Sequence, residues 1–290
     1  MRGFVGGVVA YGRMIRLSHS VFGLPFALAS VALAAQAGGV TGAQVFWIAV
    51  AMVSARSAAM GFNRLADQGI DARNPRTASR ELPRGVLSRR EVWVFVAVSV
   101  AVFLLAAARL NPLCLLLSPV ALAIVLGYSY TKRLTAASHL VLGLSLAVAP
   151  VGAWLAIRGR FEAVPLALGL AVVLWVAGFD TIYACQDVEF DRREGLRSIP
   201  ASLGVARALA VARALHGAAV VALAVLFWLA PLHGLYLAGL AAVAALLAYE
   251  HTLVRPDDLS RVMPAFNLNG WVSLGYFAFT AVSAWLAGPG

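Results

Sequence analysis

The chain has 290 residues, of which 61% are hydrophobic and 12% charged, with a formal net charge of +10 and a mean hydropathy of +0.84. A soluble domain carries roughly 25% charged residues, so water is excluded as the main solvent of this chain and the bilayer takes its place. The charge is nearly all arginine, Lys132 being the only lysine, and it sits in short segments between apolar runs. That distribution points to membrane topology rather than to nucleic acid.

The first twenty residues hold a short, glycine-rich apolar stretch with no small-residue cleavage site ahead of a polar domain. They read as a cytoplasmic lead-in of amphipathic character, not as a cleavable signal. Nine apolar segments follow, near the length of about 20 residues that a spanning helix needs. In chain order they are Val21–Ala37, Ala43–Phe62, Val92–Ala108, Pro112–Tyr130, His139–Ile157, Ala163–Phe179, Leu209–Ala230, Leu232–Tyr249 and Phe266–Leu286. Turn signals separate several of them, at Gly38-Gly39, Asn111-Pro112, Arg158-Gly159 and Pro231. The expected fold is an all-α membrane bundle of nine transmembrane helices, formed as one domain over residues 1–290.

The connections alternate in charge. Those after spans 1, 3, 5 and 7 contain only Arg109, Arg158 and Arg160, while the N-terminus and the connections after spans 2, 4, 6 and 8 hold nearly all other basic residues. The positive-inside rule assigns the second group, and the N-terminus, to the cytoplasm. In a bacterial cell this is the inner, or plasma, membrane.

Two acidic motifs stand at the ends of spans two and six. The first is Asn63-Arg-Leu-Ala-Asp67-Gln-Gly-Ile-Asp71, and the second runs Asp180-Thr-Ile-Tyr183-Ala-Cys-Gln-Asp187-Val-Glu-Phe-Asp191. Residues four apart share one helix face, so Asp67 and Asp71 stack above Asn63, and Asp187 and Asp191 stack above Tyr183. Like charges at that spacing repel, and more so where solvation is lost. A divalent cation offsets this, and hard carboxylate oxygens suit Mg²⁺, which one or two carboxylates and substrate phosphates commonly hold. Arg64, Arg73, Arg76 and Arg80 surround the first motif, and Arg192, Arg193 and Arg197 the second; guanidinium forks pair with phosphate oxygens. The motifs also align at an offset of 120 residues, Arg73 falling on Arg193, which hints at two four-helix halves plus a ninth helix.

With those residues in view, the chain resembles the UbiA superfamily of intramembrane aromatic prenyltransferases. That family carries Asn-x-x-x-Asp-x-x-x-Asp after its second helix and Asp-x-x-x-Asp after its sixth, matched here over essentially the whole chain. The stretches from Ala55-Arg56 to Asp67, from Asp71 to Pro83 and from Phe179 to Asp191 look like the branch labelled 4-hydroxybenzoate polyprenyltransferase, which includes the menaquinone enzyme of the futalosine route. The resemblance implies Mg²⁺-dependent transfer of a polyprenyl group from its allylic diphosphate to an aromatic acid, 4-hydroxybenzoate or 1,4-dihydroxy-6-naphthoate, in quinone biosynthesis. It implies Asn63, Asp67, Asp71, Asp187 and Asp191 as the metal set, with the four aspartates central to catalysis. Tyr128-Ser-Tyr-Thr-Lys132 matches the family's Tyr-x-x-x-Lys, so Tyr128 and Lys132 join Arg73, Arg80, Tyr183 and Arg193 as substrate-binding residues. This chain reads Asn63-Arg64 where many relatives read Asn-Asp, so one carboxylate of the pattern is missing.

Some residues carry two readings. Lys132 either holds diphosphate or snorkels at a helix end. Arg16 either faces the acceptor carboxylate or sets topology. Asp180, an acid inside the end of span six, is either functional or pairs with an arginine such as Arg56. Cys114 and Cys185 show no ligand or disulfide pattern, and His19, His139, His216, His233 and His251 read as packing or interfacial residues. Asn267 and Asn269 open the ninth span, where bonding between helices is the default. No protein partner is implied, only membrane lipid. A transporter also fits many helices with membrane-edge acids, although the acids gather at one side rather than at midplane. A CDP-alcohol phosphotransferase also uses membrane aspartates, but its Asp-Gly-led signature is not present in that order.

Overall fold

The computed structural model describes residues 4–15 and 21–288. Among these, 81% are helical and no strand forms. The helices are α1 (Phe4–Met14), α2 (Leu24–Ala35), α3 (Gly42–Arg73), α4 (Arg89–Leu110), α5 (Pro112–Leu134), α6 (Ser138–Arg158) and α7 (Ala163–Ala184), followed by α8 (Val188–Arg193), α9 (Ile199–Leu203), α10 (Val205–Leu229), α11 (Leu235–Leu253) and α12 (Val262–Ala287). A 3₁₀ turn, Cys185–Asp187, joins α7 to α8.

Among the described residues, eight helical segments are long and apolar enough to cross a membrane: α3, α4, α5, α6, α7 with its extension to Arg193, α10, α11 and α12. The first of the nine expected spans, Val21–Ala37, appears instead as the 12-residue α2. At 1.5 Å per residue α2 covers about 18 Å, short of the hydrocarbon core. Pro25 in its first turn fixes where α2 begins, and the Gln36–Gly39 turn, with Gly39 at φ 76°, ends it.

Side-chain caps open α3 and α4. Thr41 and Gln44 form a reciprocal capping box at the start of α3, and Ser88 and Glu91 do the same for α4. α3 then runs 32 residues, carrying the first acidic motif on the helix itself rather than in a loop. The helix ends follow the offset of 120: α3 stops at Arg73 and α8 at Arg193.

α7 is the most enclosed long helix, packed against α6, α10, α12 and α2. An aromatic cluster of Phe22, Phe26, Trp175, Phe179, Phe266 and Tyr276 fills the space beside it. With hydrocarbon outside, close packing and buried hydrogen bonds hold such a bundle together. Trp175 Nε1 donates to Asn269 Oδ1 (2.7 Å), and Asn269 Nδ2 donates to the fully buried Glu250 (2.9 Å), the interhelical role expected of Asn269. His216 and His251 do more than pack: their ring nitrogens meet at 3.0 Å, and His216 Nε2 lies 3.2 Å from the Trp175 carbonyl.

Hydrogen bonds sort the connections into two ends. At one end Arg158 Nη1 donates to Ala37 O, Gln36 Nε2 to Pro231 O and Asn111 Nδ2 to Leu155 O. At the other end lie the long connection after α3 and the short ones after α5 and α8, with both acidic motifs. Of the two readings of Asp180, the pairing with Arg56 does not form; Arg56 Nη2 donates to the Ile15 carbonyl and Asp180 meets His139.

α6 and α7 approach most closely at Gly143, where a Cβ would fall 2.3 Å from the Val173 carbonyl oxygen. Gly143→Leu should force the two helices apart and cost about 1–3 kcal/mol, read as a lowered Tm in detergent. Gly152→Ala on the same helix, where a Cβ meets nothing within 4 Å, should leave Tm close to wild type.

Candidate active site

Asp67 and Asp71 are buried to 2% and 4% exposure at the inner end of α3. A carboxylate in that setting needs hydrogen bonds and opposite charge to remain ionised. Lys132 Nζ reaches Asp67 Oδ2 at 2.5 Å, and Arg133 Nη2 reaches Asp67 Oδ1 at 3.0 Å while also donating to the Ala66 carbonyl. Asn63 Nδ2 donates to Asp67 Oδ2 (3.2 Å), one turn earlier on the same face, as the spacing predicts. Asp71 receives Arg80 Nη1 on both oxygens, at 2.8 and 2.7 Å. Arg64, in the place of the missing carboxylate, is buried and donates to Asn63 Oδ1 and the Met14 carbonyl.

The second motif does not stand on one unbroken α-helix. The 3₁₀ turn at Cys185–Asp187 tightens the chain and offsets α8 from α7, so the simple four-residue stack is modified there. Asp187 Oδ1 accepts from Asn74 Nδ2 (3.1 Å) and Arg76 Nε (3.0 Å), both from the connection after α3. Arg76 Nη1 also donates to the Tyr183 hydroxyl (2.7 Å). Burial opposes the Arg76 charge, but the hydrogen bond to Asp187, with the pull of Tyr183 and Asp187, outweighs it and raises its pKa. Asp191 Oδ2 accepts from Ser198 Oγ (2.8 Å).

The two motifs therefore meet at one end of the bundle. The α5–α6 side is bound in as well: Arg197 donates through its backbone N–H to the Lys132 carbonyl (2.7 Å) and through Nη1 to the Leu134 carbonyl. At the rim, Arg73 bonds Glu194 (2.7 Å), whose carboxyl it holds below its ordinary range. Arg193 does not enter the cluster; its guanidinium stacks over the Phe190 ring at 5.7 Å, and the side chain is exposed. Arg16 and His19 lie outside the described residues.

Below the rim, Asp180 shares the α7 face that carries Tyr183. Its Oδ2 lies 2.6 Å from His139 Nδ1, and His139 Nε2 accepts the Ile199 backbone N–H (3.3 Å). The packing role expected of His139 is thus corrected to that of a hydrogen-bonding partner.

Among the described residues no three His, Cys, Asp or Glu side chains gather closely enough to hold one metal ion. Instead, three of the four motif aspartates are held by cations: Asp187 by Arg76, Asp71 by Arg80, and Asp67 by both Lys132 and Arg133. Sequence reasoning did not single out Arg133, Asn74, Ser198 or His139. The adjacency of Arg133 to Lys132, of Asn74 to the first motif and of Ser198 to the second were available signals; His139 meets Asp180 from 41 residues away.

Comparison with known proteins accords with this arrangement. The model of the UbiA prenyltransferase family matches residues 23–287. A protein named 4-hydroxybenzoate octaprenyltransferase from Xanthomonas euvesicatoria pv. vesicatoria is 35% identical over 230 residues, covering 79% of this chain and 75% of that one. Its namesake from Cupriavidus necator is 32% identical over 278 residues, covering 94% and 96%. The apo structure of a UbiA homolog from Aeropyrum pernix K1 superposes with a TM-score of 0.83 at 39% identity, covering 91% of this chain and 98% of that one. A UbiA homolog from Archaeoglobus fulgidus, solved bound to GPP and Mg²⁺, shares the fold at a TM-score of 0.72 and 21% identity, covering 95% and 99%. The chain belongs to the UbiA prenyltransferase family.

Proposed function

We propose that this protein transfers a polyprenyl group from an allylic polyprenyl diphosphate to the ring of an aromatic acid, with Mg²⁺ as its divalent ion. The observation that carries the reading is the meeting of two aspartate motifs from α3 and α7–α8 with four cationic side chains at one end of an apolar bundle. The relatives' names favour 4-hydroxybenzoate as acceptor, and 1,4-dihydroxy-6-naphthoate is the alternative of the same class. The whole chain, residues 1–290, acts as one domain, in which the short α2 joins the eight long helices to complete a bundle of nine. The arginine-rich connections support a cytoplasmic site in the inner membrane.

The donor set fits Mg²⁺, since it consists of carboxylate and amide oxygens. Asn63, Asp67, Asp71, Asp187 and Asp191 would hold the ion, which when bound lowers the cost of charge growing on the departing diphosphate. Arg76, Arg80, Lys132 and Arg133 hold those carboxylates in the structure and exchange them for phosphate oxygens when the donor enters. Arg73 and Arg193 extend the positive rim that draws the diphosphate in. The isoprenoid tail stays in hydrocarbon while its head meets ions at the membrane edge. The apolar helices around Tyr128 and Tyr183 keep water from the allylic cation, which it would otherwise quench.

Asp67→Asn and Asp187→Asn keep side-chain volume and remove a charge. Each should lower prenyl transfer to 4-hydroxybenzoate by at least about 100-fold, with the elution profile in detergent unchanged; full activity in both removes the proposed clamp. Chelation should abolish product formation and added Mg²⁺ restore it, followed by chromatography of the prenylated acid. Activity that persists through exhaustive chelation would exclude the divalent ion.

A further inference from the structure

We propose that Asp180 takes the ring-hydroxyl hydrogen of the aromatic acceptor and that His139 is the residue positioning it; this rests on the prenyl-transfer reading above. Asp180 precedes Tyr183 by three residues and Asp187 by seven, so all three face the same side of α7 and its extension. At 1.5 Å per residue Asp180 sits about 10 Å deeper than the second motif. That is the depth at which an acceptor ring must lie if the diphosphate is held above it.

The carboxyl is only half engaged. Oδ2 lies 2.6 Å from His139 Nδ1, and among the described residues no hydrogen bond reaches Oδ1. The Asp180 side chain keeps 24% of its surface exposed, against 4% for His139. Exposure to lipid would be costly for this group, and its neighbours on that face are the site residues Tyr183 and Asp187.

The imidazole's state follows from its other nitrogen. The Ile199 backbone N–H can only donate, so His139 Nε2 must accept and carries no proton. The ring proton then sits on Nδ1 and is donated to Asp180. A neutral imidazole with that tautomer orients the carboxylate without cancelling its charge. Asp67, Asp71 and Asp187 differ, since each is paired with lysine or arginine. Ile199 also follows Ser198, which holds Asp191, so the start of α9 fixes both carboxylates.

The chemistry needs such a group. As the allylic C–O bond breaks, its electron pair leaves with the diphosphate, and a ring carbon forms the new C–C bond. Positive charge spreads to the hydroxyl oxygen. The hydroxyl proton passes to Asp180 Oδ1, the electron pair stays on oxygen, and a neutral dienone results. The C–H bond at the substituted carbon then breaks, its pair restores the ring, and its proton goes to water. Asp180 returns its own proton to the oxygen. One proton and one diphosphate are released in total.

The test uses the full chain in lipid vesicles with geranyl diphosphate, Mg²⁺ and 4-hydroxybenzoate. Asp180→Asn should lower kcat by about 100-fold or more, while binding of radiolabelled geranyl diphosphate changes less than about threefold. His139→Leu should lower kcat by about 10–100-fold through loss of aim, and His139→Asn, which keeps a donor toward Asp180, should recover much of it. Asp180→Asn within threefold of wild type overturns the proposal, as does equal loss of donor binding and turnover. His139→Asn no better than His139→Leu overturns the positioning role. If wild type itself forms no prenylated product with any aromatic acid, the prenyl-transfer reading falls and this proposal with it; wild-type turnover with an unaffected Asp180→Asn sinks the proposal alone.

Discussion

Two carboxylates that sit almost out of reach of water, Asp67 and Asp71, set the terms for the cytoplasm-facing half proposed here. A buried anion is unfavourable by several kcal/mol unless it is paired and hydrogen-bonded. α3 cannot supply the partners itself, so they come from elsewhere: Lys132 and Arg133 from the end of α5, and Arg80 from the connection after α3. Each pairing draws a separate part of the chain to the same place. The order of that end of the molecule follows from compensating charge, whereas the order of its apolar middle follows from packing around α7.

The same compensation links stability to chemistry. Opposite charges meeting at short range make a buried anionic cluster tolerable where water does not reach. The arrangement also explains the break after α7. A straight helix would carry Asp187 and Asp191 along one line, whereas the 3₁₀ turn brings Asp187 to Asn74 and Arg76 while Asp191 meets Ser198. Tight helical pieces of this kind recur at functional hinges.

The prominent parts of the site were readable because local periodicity dictates them. Asn63, Asp67 and Asp71 must share a face on any helix, and the structure keeps them there. Lys132 is the lone lysine at the end of an apolar run, where two readings stand open, and the structure sets its ammonium against Asp67. Arg193 was marked by the same logic of repeats, yet its side chain rests on Phe190, because α8 turns it away from the cluster. The first span was drawn too long, since hydropathy averages over Pro25 and the Gly38-Gly39 turn that limit the actual helix.

By itself the sequence determined the solvent, the all-helical class, the alternation of connections between two ends and the two acidic motifs, all of which depend on spacing and composition within a few turns of helix. Tertiary structure alone decided which cation meets which carboxylate and that Asp180 faces His139 instead of Arg56. The reason is physical: hydrogen-bond partners 41 to 113 residues apart are chosen by how helices pack, and packing is fixed by shape at contacts such as Gly143 against Val173, which no local pattern encodes.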